Sequence, residues 1–74
     1  MYYISVELKD GSRDYVCAPS GWRWTEAGPV KDGTDYRKSG PEMSKDPYKK
    51  HLFASLAGAK IQANKVIGAR IFEC

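Results

Sequence analysis

Histidine and cysteine are scarce in this chain. His51 is the one histidine, and Cys17 and Cys74 are the two cysteines. Two cysteines do not build a disulfide framework. Positions 17 and 74, with a single histidine to help, do not supply a zinc ligand set either. No metal and no cofactor are expected. Reduced cysteines pack as small hydrophobes, so Cys17 is expected to be a buried strand thiol and Cys74 a terminal one.

Long apolar runs are also missing. The longest mostly apolar stretch is Leu52 to Ala59, far short of the about 20 residues that span a bilayer as a helix. Met1 to Ser5 shows no basic segment followed by an apolar run, the mark of a signal peptide. A soluble, cytoplasmic protein with no membrane partner is expected. Acidic residues are not in excess. Lys plus Arg is 12 and Asp plus Glu is 9, a net charge of +3. That balance excludes mimicry of DNA by a negative surface and permits an anionic partner without demanding one.

The machinery of catalysis is equally thin. No glycine-rich phosphate loop is present, because Gly58 stands alone and Gly11 and Gly33 sit in turn sequences. An activated nucleophile needs a base in reach. His51, beside Lys49 and Lys50, reads as a solvated surface histidine, and nothing in the sequence pairs it with Cys17 or Cys74. The carboxylate pairs Asp32/Asp35 and Glu7/Asp14 flank turns, where Asp more often binds turn amides than transfers protons. The chain is read as not an enzyme.

What remains is a 74-residue chain with 42% hydrophobic and 28% charged residues, close to globular averages. It is read as one small domain, 1–74. A chain this short buries only about 60% of its unfolded surface. It has room for one core and a shallow site.

Tyr2, Ile4, Val6 and Leu8 alternate with Tyr3, Ser5, Glu7 and Lys9, the period of a half-buried strand. Asp10-Gly11 signals a hairpin turn, with a return strand from about Arg13 to Ala18. A two-residue loop would set Val6 opposite Tyr15 and Ile4 opposite Cys17, and would oppose Glu7 to Asp14. A three-residue loop would bury Val16 instead. Lys31-Asp32-Gly33 echoes Lys9-Asp10-Gly11, which predicts a second hairpin from strands Trp22–Glu26 and Thr34–Lys38. Residues 39–46 read as a mobile loop.

Asp46-Pro47 is a helix start, with Asp as cap and Pro at the first position. The helix is expected to run to about Asn64 or Lys65. Tyr48, Leu52, Leu56, Ala59 and Ala63 fall on one arc, the expected core face. Residues 66–73 then read as a final strand. The expected fold is α+β: a mainly antiparallel sheet of three to five strands on one helix, in the order β-β-β-β-α-β. Its core is expected to hold Tyr2, Ile4, Val6, Leu8, Leu52, Leu56 and Ile71.

Two surfaces stand out. Trp22-Arg23-Trp24, with Tyr36, Arg37 and Lys38 downstream, interleaves aromatics and cations, which can stack bases and neutralise phosphates. The blander reading, that one or both Trp residues complete the small core, is the better one, but so small a domain can hardly bury both fully, so at least one is expected to be partly exposed. Lys49 and Lys50 extend the basic set, although lysines on a helix are more often just solvated. Ala54, Gly58 and Ile61 fall opposite the core arc and are candidates for contact with a partner or a second copy. Gly58 in mid-helix costs about 1 kcal/mol against Ala, which suggests close approach of another backbone.

Pro29-Val30-Lys31-Asp32-Gly33-Thr34-Asp35-Tyr36 resembles the wing hairpin of small phage excisionases of the winged-helix type. Those proteins place a helix-turn-helix before the wing, where this chain has strand sequences, so no residue role carries over. In size and plan the chain looks like small phage-encoded inhibitors of host defence, anti-CRISPR proteins among them. The expected function is non-catalytic binding of a host protein or nucleoprotein complex, as monomer or weak homodimer. The alternative is a basic DNA- or RNA-binding module using the Trp and Lys/Arg side chains.

Overall fold

Leu8 N donates to Ser12 O and Gly11 N to Leu8 O, which closes a three-residue loop of Lys9, Asp10 and Gly11. Gly11 takes φ +88°, the left-handed conformation this loop needs and glycine tolerates. The Asp10 carboxylate accepts from Ser12 N at 2.9 Å and Ser12 Oγ at 2.6 Å. Those bonds hold its pKa below the ordinary carboxylate value. Of the two registers open to the sequence, the structure takes the three-residue one. Strand β1 (Tyr2–Glu7) pairs with β2 (Arg13–Cys17) so that Ser5 faces Tyr15, Val6 faces Asp14 and Glu7 faces Arg13. The register replaces an acid–acid pair by Glu7 opposite Arg13, the favourable arrangement.

The computed structural model describes residues 1–18, 22–25, 28–31, 34–35 and 41–74, with the backbone alone at Trp22, Arg23, Thr25, Pro29, Lys31, Thr34 and Asp35. Antiparallel pairing builds a four-stranded sheet in the order β6-β2-β1-β7, with β6 at Glu42–Ser44 and β7 at Arg70–Glu73. Strands β3 (Trp22–Thr25), β4 (Gly28–Lys31) and β5 (Thr34–Asp35) form a separate antiparallel ribbon. One helix, α1 (Leu56–Ala63), packs on β1 and β7. The α+β class, the antiparallel sheet and the single helix are as expected.

Several expectations are corrected. The strand 22–25 pairs with β4, which in turn pairs with Thr34–Asp35; residues 36–38 lie outside the described residues. The expected loop 39–46 contains β6, which pairs Val16 with Met43; Ser39 and Gly40 lie outside the described residues. The last strand begins at Arg70, because residues 64–68 turn, and Ile67 is 99% exposed there.

The helix is the largest difference. Asp46 caps only a 3-10 turn, Pro47–Lys49. The chain then extends. His51 N donates to Val16 O at 2.8 Å, and Tyr2 and Phe53 exchange backbone bonds at 2.9 and 2.7 Å. Sheet partners thus satisfy amides that a helix would have bonded internally. Ser55 is the true N-cap, its hydroxyl accepting from Gly58 N at 3.1 Å.

The core holds Ile4, Val16, Phe53 and Ala59, with Tyr2, Trp24, Met43, Ala63, Val66, Ala69 and Ile71 against it. Tyr48 is 95% exposed and Leu52 and Leu56 are 40% exposed. The expected leucine face is therefore not the core face. Gly58, Ala59 and Gln62 are the buried residues of α1. Small residues let the helix sit close to the sheet, and Phe53 from the extended segment supplies the bulk.

Ile4→Ala should cost about 2–5 kcal/mol, the usual range for a fully buried aliphatic. Ser55→Ala should cost about 0.5–2 kcal/mol through the lost cap. Leu56→Ala should stay near the small values, about 0.5 kcal/mol, of exposed sites. Denaturant melts of the three variants check the order, and a Leu56→Ala loss equal to that of Ile4→Ala would put the leucines inside.

Candidate functional site

Alternation along β1 sends Ile4 and Val6 toward α1, and Tyr3, Ser5 and Glu7 to the opposite face. The registers add Arg13, Tyr15 and Cys17 from β2 and Arg70 and Phe72 from β7 to that second face. An aromatic row crosses it. Tyr3 and Phe72 stack with centroids 5.2 Å apart and rings 19° from parallel, and Tyr15 lies 6.1 Å from Tyr3. Such pairs contribute about 0.5–1.5 kcal/mol beyond their burial. Cations border the row: Arg13 lies 5.6 Å over the Phe72 ring and Lys50 lies 5.3 Å over the Tyr3 ring. All three rings are half-buried, whereas Arg13, Arg70, Glu7 and Glu42 are exposed.

Of the expected basic aromatic set, Trp24, Lys49 and Lys50 have described side chains. Trp24 is half-buried. Its ring lies 5.0 Å from His51 and 5.2 Å from Phe53, and it packs on the core cluster. The side chains of Trp22 and Arg23, and Tyr36, Arg37 and Lys38 altogether, lie outside the described residues. Lys49 is exposed at the 3-10 turn. Lys50 reaches the aromatic row and also donates to Pro47 O at 3.1 Å. Among the described members of that set, Lys50 therefore borders the open face and Trp24 packs against the core.

Ala54, Gly58 and Ile61 do not share one helix face. Ala54 precedes the helix, Gly58 is buried and Ile61 is 39% exposed. A side chain at Gly58 would crowd Ser55 Oγ at 3.1 Å, so its close neighbour is the cap and not another backbone. Ala54, Ser55 and Gly58 instead join Trp24, His51 and Phe53 around a shallow groove of about 440 Å³. Trp24 Nε1 is buried there with no hydrogen-bond partner among the described residues.

His51 is not the solvated histidine the sequence suggested. It stands 4.6 Å from Phe53, edge to face, and burial pushes its pKa below the ordinary 6.5. Cys17 is buried as expected, and Cys74 is exposed. Burial first, then the Glu42 carboxylate, raises the Cys17 thiol, which makes it a poor nucleophile at neutral pH. Among the described residues, no group of His, Cys, Asp and Glu side chains is placed to hold a metal ion, and no helix is long and apolar enough to cross a membrane.

Sequence reasoning missed Tyr3, Tyr15, Phe72, Arg13 and Arg70 as a set. Each lies on a strand it did identify. The signal was the three-residue loop, which puts Tyr15 on the same face as Tyr3. Comparisons with protein-family models, with characterised proteins and with solved structures give no match to this chain.

The depressed pKa of His51 fixes the sign of a pH effect. Neutral His51 contributes stability that is fully present above about pH 6.5 and declines as pH falls toward its lower folded-state pKa, because the unfolded chain takes up the proton first. His51→Gln should therefore flatten the stability profile between about pH 5 and 7. Thermal melts of both proteins across that range check it, and parallel profiles would place the histidine in water.

Proposed function

We propose that this chain is a small, non-catalytic binding protein whose contact surface is the open face of its four-stranded sheet. The observation that carries the reading is the row Tyr3, Tyr15 and Phe72, bordered by Arg13, Arg70 and Lys50. Tyrosine and arginine are the usual anchors of protein interfaces. The rings of Tyr3 and Phe72 already cover one another, so their edges, the phenol groups and the guanidiniums are what a partner would meet.

The partner is proposed to be a larger host protein or nucleoprotein complex. A typical interface takes about 800 Å² from each side. This chain exposes 5051 Å² in all, so roughly a sixth of its surface would be covered. The sheet face needs its borders to reach that area. Ile67, 99% exposed in the turn before β7, is such a border residue. Inhibition by covering a site suits a chain of this size, and fits its likeness in plan to small phage-encoded inhibitors. The raised Cys17 thiol and the aromatic-packed His51 offer no activated nucleophile, which supports a binding role over a catalytic one.

Capture from host lysate, with and without nuclease, tests the reading. One partner should be retained after nuclease. Tyr15→Ala should lower capture about thirtyfold, the equivalent of about 2 kcal/mol at a central tyrosine. Ile67→Ser, which removes no packed contact, should weaken it less. Capture that nuclease abolishes, or that neither substitution changes, would overturn the proposal.

A further inference from the structure

One concave feature of the open face is not explained by its aromatic row. Ser5, Glu7, Arg13, Gly68, Arg70 and Phe72 line a cleft of about 370 Å³. Its depth arises from small residues among large ones. Ser5 lies on the central strand and is 2% exposed, and Gly68 contributes no side chain at the approach to β7. The registers place Arg70 directly across from Ser5, and Arg13 across from Glu7. Guanidinium groups thus enter from the strands on both sides of β1. Arg13 Nη1 donates to Ser5 Oγ at 3.5 Å.

Neither guanidinium has a carboxylate partner within salt-bridge distance among the described residues. The ion pair found in this part of the sheet joins Lys45 to Asp14 at 3.3 Å. The two guanidiniums outnumber the one carboxylate of the cleft, Glu7, and the remaining positive charge favours a bound anion. Arginine forks match the oxygens of a phosphate and can hold it by paired hydrogen bonds.

We infer that this cleft is a phosphate site, and that its ligand is the phosphodiester backbone of a single-stranded nucleic acid. Phe72 in the cleft wall is stacked on Tyr3 and covered by Arg13, so it presents its ring edge. The base next to the bound phosphate can pack on that edge if it is unstacked, as in a single strand, whereas a duplex keeps it stacked inside. Glu7 at the same cleft disfavours a bare dianion and can accept from a sugar hydroxyl or a base amino group. The inference rests on the open sheet face being the contact surface, and names the nucleic acid of a nucleoprotein as what part of that face meets.

The test uses the purified full chain and a labelled single-stranded oligonucleotide of about ten nucleotides, within the usual site size. Anisotropy is read at several salt concentrations. Arg70→Gln should weaken binding about tenfold and lower the salt slope by about 0.7, the value for one lost phosphate contact on a single strand. Arg70 is exposed and makes no side-chain hydrogen bond among the described residues, so the variant should melt like the wild type. Glu7→Gln should tighten binding. Lys60→Gln, which removes the same charge from an exposed helix position, should change little.

An equal loss in Arg70→Gln and Lys60→Gln would mean net charge rather than a site, and would overturn the inference. So would no binding by the wild type at low salt. Adenosine monophosphate binding as tightly as the oligonucleotide would overturn the strand as ligand, and preference for a poly-glutamate peptide of equal charge would overturn phosphate. These outcomes are read without any host protein. A cleft that binds no strand therefore leaves the lysate capture, and its sensitivity to Tyr15→Ala, to be judged separately.

Discussion

The short loop between the first two strands governs the rest of the molecule. Asp10 binds Ser12 through both its amide and its hydroxyl, and Gly11 supplies the left-handed step. Because side chains alternate along a strand, a one-residue change in that loop would move every residue of β2 to the other face. The observed register buries Val16 beside Ile4. It brings Tyr15 and Arg13 to the face that carries Tyr3, Ser5 and Glu7. Both the core and the proposed contact surface follow from the same turn.

The helix side depends on economy of volume. A chain of this size cannot enclose many large side chains. Its core sets Ile4 and Val16 of the sheet against Ala59 of the helix, with Phe53 filling the space between them. Ala59 and Gly58 allow the helix to approach, and Phe53 reaches the core because residues 50–53 run extended along the sheet ends instead of helically. Trp24 closes the same interior from the ribbon, against His51 and Phe53. The price is a short helix that leaves Leu52 and Leu56 substantially exposed.

The open face obeys a different rule. Its aromatic rings are stabilised by one another and by Arg13 and Lys50, so the row is a structural unit before it is a binding surface. Arg70 has no such packing role among the described residues. Residues that contribute least to stability are the ones free to serve recognition, and here they cluster where Ser5 and Gly68 leave a hollow.

The sequence by itself determined the class of fold and the identity of β1, β2 and the C-terminal strand, since period-two alternation and an Asp-Gly turn are local signals. Ile4 in the core and Cys17 as a buried thiol were legible for the same reason. The register was narrowed to two choices and decided by hydrogen bonds that close the loop. Tertiary structure alone decided where the helix begins. Tyr48, Leu52 and Leu56 are spaced as a helix face, but sheet carbonyls at Val16 and Tyr2 compete for the amides of His51 and Phe53, and that competition has no trace in local spacing. The candidate surface was likewise invisible. Trp24, for which the sequence offered both the core and a partner surface, packs half-buried against the core, while Tyr3, Tyr15, Phe72, Arg13 and Arg70, scattered over 70 positions of the chain, meet only when three strands align in register.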